Sequence, residues 1–139
     1  MNVSKNNNAA IKNLHLSTSI IFIIPIALIY GLYPNAILSK LFDIKVETIN
    51  LTNIFRAIMG LYLATSTIWF IGIIKPKFWT IATLTNIVFM GGLAFGRLLS
   101  LVLDGLPSLF FLAGLFLELS FAFWGIKNIK KYRNLISIG

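Results

Sequence analysis

The stretch FMGGLAFGRLLSLVLDGLPS, residues 89–108, decides how this chain folds. Between Phe89 and Leu103 its only charged residue is Arg97. Together with the apolar residues before it, this run is long enough to cross a bilayer, which takes about 20 residues. An arginine inside a span costs about 2.5–3.5 kcal/mol on insertion scales, so it needs a partner or a function. The turn at Asp104 then ends the span.

The rest of the chain repeats this pattern. Of its 139 residues 58% are hydrophobic, which exceeds the roughly 45–50% usual in soluble domains. The apolar residues fall in four blocks, at about 16–33, 51–74, 78–103 and 106–126. We therefore predict an all-α fold: an integral membrane four-helix bundle that forms one domain over residues 1–139.

Two segments outside these blocks need separate interpretation. AILSKLFDIKVETIN, residues 36–50, is too charged and too short to span, but its apolar residues have helical spacing. It predicts a short amphipathic surface helix between spans 1 and 2. The polar leader before the first span could mark a signal peptide, but a small-residue cleavage site is missing, which favours a retained span.

The basic residues predict the orientation. If the amino terminus is cytoplasmic, the inner side holds eight of them against two outside, Lys40 and Lys45. The eight are Lys5, Lys12, Lys75, Lys77, Lys127, Lys130, Lys131 and Arg133. The positive-inside rule therefore places both termini in the cytoplasm. The three tryptophans, Trp69, Trp79 and Trp124, fall near the same side, where indole rings favour the interface.

Four charged residues remain within or beside the spans. Arg56 and Arg97 each lie six residues, or about 9 Å, below the outer end of a span, and Glu118 lies near the midplane. Because helical side chains lean toward their own amino terminus, Arg97 and Glu118 lean toward each other. We predict that they form an ion pair and that Arg56 lies near the outer rim, within reach of Asp104.

Polar residues also keep to single faces of spans 2 and 3. These stripes are Asn53, Arg56, Gly60 and Thr67 on span 2, and Asn86, Arg97, Ser100 and Asp104 on span 3. We expect both to face the bundle interior and to form, with Glu118, a pocket open toward the outer leaflet. The predicted pocket residues are Arg56, Arg97, Asp104, Glu118, Ser100 and Asn53. Gly92 and Gly96 form a GxxxG motif, which favours close helix packing within the monomer or in a homo-oligomer.

Several classes of function find no support in the residues. The chain has no cysteine, which excludes disulfides, thiolate metal sites and iron–sulfur clusters. His15 is the only histidine, Ser100 and Ser108 lack a neighbouring base, and Glu118 has no second carboxylate to form a catalytic diad. Despite the net charge of +8, the basic residues sit at span ends, unlike a nucleic-acid interface. We predict no enzyme, cofactor, metal or nucleic acid.

Four stretches of the sequence carry a family resemblance: NIFRAIMGLYLA (53–64), FMGGLAFGRLLSLVLDGLPS (89–108), LELSF (117–121) and YGLYP (30–34). Over about residues 14–130 the chain resembles small bacterial four-helix membrane proteins known only as a domain of unknown function and similar in layout to DoxX-like proteins. The resemblance implies a four-helix fold in the bacterial cytoplasmic membrane and assigns no reaction. Some DoxX-like proteins accompany redox enzymes, but a thiol role does not fit a chain without cysteine.

Three functions remain open. The first is binding of a membrane lipid, a quinone or another amphiphile, with Arg56 and Arg97 at the head and apolar walls around the tail. The second is an accessory subunit that docks on a membrane protein partner, in which the charges form a structural ion-pair network. The third is a small transporter or proton pathway that uses Glu118 as its titrating group.

Overall fold

The computed structural model describes the backbone of residues 3–136 and the side chains of residues 11–132. Its helices are α1 (Val3–Gly31), α2 (Pro34–Phe42), α3 (Ile49–Ile74), α4 (Trp79–Leu103) and α5 (Leu109–Ile136). A 3₁₀ turn, Pro76–Phe78, joins α3 to α4. Four of the helices are long and apolar enough to cross a membrane. The predicted all-α, four-span fold is confirmed.

The four long helices form an incomplete ring. α1 packs along α3, α3 along α4, and α4 along α5, whereas α1 and α5 touch over a much smaller area. One of their contacts is a hydrogen bond of 3.3 Å from Asn128 Nδ2 to the carbonyl oxygen of Lys12. The first and last helices are therefore joined near the chain ends. We call that end of the bundle the terminal end and the opposite one the α2 end.

Two glycines allow the helices to approach closely. A Cβ at Gly31 would collide with Met59, and a Cβ at Gly72 would collide with that of Ala82. The first contact sets α1 against α3 and the second sets α3 against α4. Because each glycine faces another helix, the absence of a side chain there decides the spacing of the bundle.

The segment between spans 1 and 2 contains the predicted short helix, α2. Pro34 occupies its first turn, where the missing N–H is tolerated, and Asp43 ends it with a left-handed φ of 56°. Leu38 is fully buried, so α2 packs against the bundle instead of only lying on the membrane surface. The Thr48 side chain then accepts a hydrogen bond from the Leu51 N–H and caps α3.

α5 extends ten residues past the predicted end of span 4 at residue 126. Asn128 and Tyr132 are both buried there, so the lysine-rich segment continues the bundle on one face. His15, Trp69 and Trp79 are also fully buried within the bundle, so these side chains pack against other helices. Their rings fill the terminal half of the core. Lys5 and the Arg133 side chain, counted in the charge asymmetry, lie outside the described residues.

The predicted inward stripe on span 2 is wrong. Asn53, Arg56, Gly60 and Thr67 are all exposed. The buried residues of α3 are Tyr62, Thr65, Ser66, Trp69 and Gly72. At about 100° per residue the two sets lie on roughly opposite sides of the helix. The bulky aromatic residues, which fill more of the core, decide which side faces inward.

The GxxxG motif of α4 does not pack within the monomer. A Cβ at Gly92 or at Gly96 would meet nothing within 4 Å among the described residues. Both positions are exposed, although Asn86 on the same helix is fully buried. The expected use of this motif in the monomer is therefore corrected.

Candidate functional site

The predicted ion pair between α4 and α5 is present. Arg97 Nε donates to Oε1 of Glu118 at 2.8 Å and to Oε2 at 2.9 Å. The Glu118 side chain is 9% exposed and that of Arg97 is 25% exposed. The carboxylate is thus almost fully buried, whereas part of the guanidinium remains accessible. It is the only ion pair among the described side chains.

Local packing fixes the guanidinium in this position. Phe111 of α5 lies against it, with 5.3 Å between the Arg97 Cζ atom and the ring centroid. Gly114, one turn further along α5, leaves space for the same group, since a Cβ there would lie 3.5 Å from Cζ. A larger side chain at this position would therefore compete with Arg97 for space.

A cavity of about 370 Å³ lies between α1 and α5 on the α2 side of the bundle. Its walls are mainly apolar and aromatic, and its polar groups are Tyr30, Arg97 and Glu118. Aromatic residues of the wall are Phe22, Phe42, Phe110, Phe111 and Phe121. Four of its lining residues, Ile21, Phe22, Phe110 and Leu117, are also exposed on the outside of the bundle, so the cavity opens sideways beside the contact between Phe22 and Phe121.

Arg97 also lines a second cavity, of about 350 Å³, between α4, α5 and the turn that joins them. Ser100 is part of its wall, and its hydroxyl donates to Asp104 Oδ2 at 2.7 Å. Arg97 therefore separates the apolar cavity from a more polar one near the end of the span. Among the predicted pocket residues, Arg97 and Glu118 line the apolar cavity, whereas Ser100 and Asp104 are exposed, so the predicted inward stripe on span 3 is wrong at its Asp104 end.

The other two predicted pocket residues do not join them. Arg56 and Asn53 are exposed and line a separate groove of about 320 Å³, together with Glu47. Within the described part of the chain, Arg56 forms no ion pair with Asp104. The reason is the rotation of α3, which turns its polar stripe away from α4 and α5. The prediction that these two residues complete the pocket is wrong.

Comparison with known protein families identifies the family of this chain. Residues 11–127 match a family described as Domain of unknown function (DUF4345). The chain belongs to this family. No curated protein and no solved structure matches it. The residues that line the apolar cavity, including the ion pair, all fall within the matched range.

Sequence reasoning missed part of this candidate site. Tyr30 and the surrounding phenylalanines line the cavity, but aromatic residues in a span are also ordinary packing residues, so their sequence carried no distinct signal. YGLYP, which contains Tyr30, was noticed for the resemblance alone. The described residues contain no cluster of three His, Cys, Asp or Glu side chains that could hold a metal ion.

Proposed function

We propose that this protein binds a membrane amphiphile in the cavity between α1 and α5. The ligand's polar head contacts Arg97 and Glu118, and its apolar tail lies along the aromatic wall. The observation that carries the proposal is the position of the ion pair, on the wall of a cavity that is otherwise apolar and open sideways. Binding sites of this kind combine an apolar lining with a few convergent polar groups.

The hydrogen-bond pattern supports a head group that accepts hydrogen bonds. Both hydrogen bonds to Glu118 use Nε, so the carboxylate does not use the Nη donors of Arg97. Those donors suit an oxygen acceptor such as a carbonyl, an ester or a phosphate. The pair has no net charge, so the head need not be an anion. A glycerolipid and a quinone both meet these requirements.

The predicted orientation gives the direction of access. With both termini in the cytoplasm of a bacterium, the α2 end of the bundle faces the outer side of the inner membrane. The cavity then opens into the outer leaflet, and α2 lies across its outer end through Leu41 and Phe42. A lipid entering sideways would place its head at the ion pair without crossing the bundle.

A second candidate, the accessory subunit, is favoured by the exposed stripe on α3. Asn53, Arg56 and Thr67 are polar groups on the outer face of a spanning helix, beside the exposed Gly60. Polar and small residues promote helix association in membranes. This face lies away from the cavity, so a docked partner and a bound amphiphile are compatible.

Native mass spectrometry from mild detergent tests amphiphile binding. Ala113 lines the cavity, so Ala113→Trp should fill part of it and remove a co-purifying lipid-sized adduct. Ala64→Trp is the matched control, because Ala64 is exposed on α3 and does not line the cavity. Equal adducts in the two variants and the wild type would contradict binding at this cavity, and an adduct of protein mass would support the subunit.

A further inference from the structure

A second group of polar side chains is buried in the terminal half of the bundle, away from the ion pair. All four long helices contribute to it. We call it the polar layer; it consists of His15 and Ser19 of α1, Ser66 and Trp69 of α3, Trp79, Thr83 and Asn86 of α4, and Asn128 of α5. None of these side chains carries a formal charge when His15 is neutral. The amphiphile site proposed above does not use them.

Contacts join one side of the polar layer. The side chains of His15 and Asn128 lie 2.8 Å apart, from Nδ1 to Nδ2, and both also lie within hydrogen-bond distance of the Lys12 carbonyl oxygen. The ring of Trp79 stands edge-on to His15, with 6.1 Å between centroids. The Ser19 hydroxyl donates to the His15 carbonyl. The polar groups on this side of the layer therefore have contact partners within the chain.

The other side has polar atoms without partners among the described residues. The atoms without a hydrogen-bond partner include both amide atoms of Asn86 and the hydroxyls of Thr83 and Ser66. They also include Nε2 of His15 and the indole N–H groups of the two tryptophans. Asn86 and Thr83 are 0% exposed. Buried polar groups in native proteins are nearly always hydrogen-bonded, to protein or to ordered water, so this cluster requires partners.

Helix register spreads the residues that carry these atoms over roughly 13 Å along the bundle, with Trp79 at one limit and Ser66 at the other. The contact between Gly72 and Ala82 aligns α3 with α4, so Trp69 and Asn86, about one turn further on each helix, lie at about the same level. On α5, Gly125 faces Asn86; a Cβ there would lie 3.7 Å from Oδ1. The residue that a Cβ at Gly125 would collide with is Ile87, at 2.6 Å from Cγ1, whereas its distance to the Asn86 amide is an ordinary contact.

We propose that the polar layer is a buried binding site for ordered water. The unpartnered set mixes acceptors and donors, and water is the small molecule that supplies both. The layer itself contains no carboxylate, lysine or arginine, although the Lys12 ammonium lies over the Trp79 ring, 5.1 Å from its centroid. Waters that bridge Asn86, Thr83 and the indole N–H groups would satisfy the groups that the protein leaves unpaired.

An apolar layer separates this site from the cavity. Ile23, Met90 and Phe121 are nearly fully buried and also form part of the cavity wall. Water in the polar layer is thus not continuous with the ion pair. This separation counts against a polar pathway through Glu118, and it makes the water site independent of amphiphile binding.

A matched pair of substitutions tests the proposal through stability. Thr83→Val and Thr85→Val make the same isosteric change within one turn of α4. The Thr85 hydroxyl donates to the Ala82 carbonyl at 2.9 Å, so its bond stays within the helix. If water pairs with Thr83, Thr83→Val should lower the thermal midpoint by roughly 3–5 °C, about as much as Thr85→Val, because each variant loses one hydrogen bond. In a dry layer, Thr83→Val should instead raise the midpoint, because it removes an unpaired polar group.

Hydroxyl-radical footprinting by X-ray radiolysis locates the water directly, since radicals formed at a buried water label adjacent side chains. We expect label on Trp69 and Trp79, although both are 0% exposed. Met90 is the control: its thioether is highly reactive, it is 1% exposed, and it lies in the apolar layer. Labelled tryptophans beside an unlabelled Met90 would support the site. Unlabelled tryptophans, or a raised midpoint for Thr83→Val, would overturn it.

Discussion

Glu118→Gln tests the energetic role of the ion pair. The substitution keeps the shape of the side chain and removes its charge, so Arg97 remains with an uncompensated charge against α5. Removal of one partner from a buried pair costs about 3–5 kcal/mol. The carboxylate is 9% exposed but Arg97 is 25% exposed and borders two cavities. We therefore expect the lower end of that range, about 3 kcal/mol.

Thermal unfolding in mild detergent measures this loss. For a chain of this length, about 3 kcal/mol corresponds to a fall in the midpoint on the order of 10 °C. Arg97→Gln combined with Glu118→Gln should recover most of the loss, because no unpaired charge remains. Glu47→Gln, which removes an exposed carboxylate between α2 and α3, should leave the midpoint unchanged.

Two results distinguish structure from binding. A midpoint for Glu118→Gln within 1 °C of the wild type would refute the reasoning that the pair is held in low dielectric. Recovery of stability in the double variant, together with loss of a co-purifying amphiphile, would assign the pair to the binding site. Recovery with the amphiphile retained would assign it to the stability of the bundle alone.

Three further predictions concern the scaffold. Gly31→Ala should destabilise the protein by about 1–3 kcal/mol through overpacking against α3, whereas Gly60→Ala, at an open position, should be neutral or slightly stabilising in a thermal melt. Thr48→Ala should cost about 1 kcal/mol in the same assay, because α3 loses its cap. Cysteines placed at Lys77 and Ser108 should be labelled from opposite sides of the membrane, with Ser108 outside; the reverse pattern would overturn the orientation.

The sequence was sufficient to predict the fold and the ion pair. Apolar block length identified four spans, and the lean of helical side chains joined Arg97 to Glu118. Both inferences depend on distances along a helix, which the sequence contains directly. The source membrane and its orientation stay predictions from loop charge and resemblance.

Rotation about a helix axis was harder to predict. The polar stripe through Arg56 and Asn53 shares one face, but a shared face in a membrane helix can point inward or toward a partner. The decision came from larger side chains, such as Trp69 and Tyr62, whose burial turned that stripe outward. Because lipid and core are both apolar, the hydrophobic pattern did not distinguish them.

The buried polar layer was also difficult to predict from the sequence. The sequence placed Asn86 in the polar stripe of span 3 and marked His15 only as the single histidine. The burial of these side chains with Ser66 and Asn128, and the contact between His15 and Asn128, depend on how the four helices pack. Such long-range register is set by close contacts like that at Gly72, which the sequence does not reveal.

The central claim, an amphiphile held between α1 and α5, is tested most directly by an experimental structure determined in native lipid. We predict elongated density in the cavity, with one end within hydrogen-bond distance of the Arg97 Nη atoms and the remainder along Phe22 and Phe121. Density of this kind that ends away from Arg97 would contradict the proposed head-group site. A cavity closed by contact between α1 and α5, with no density, would contradict the claim altogether.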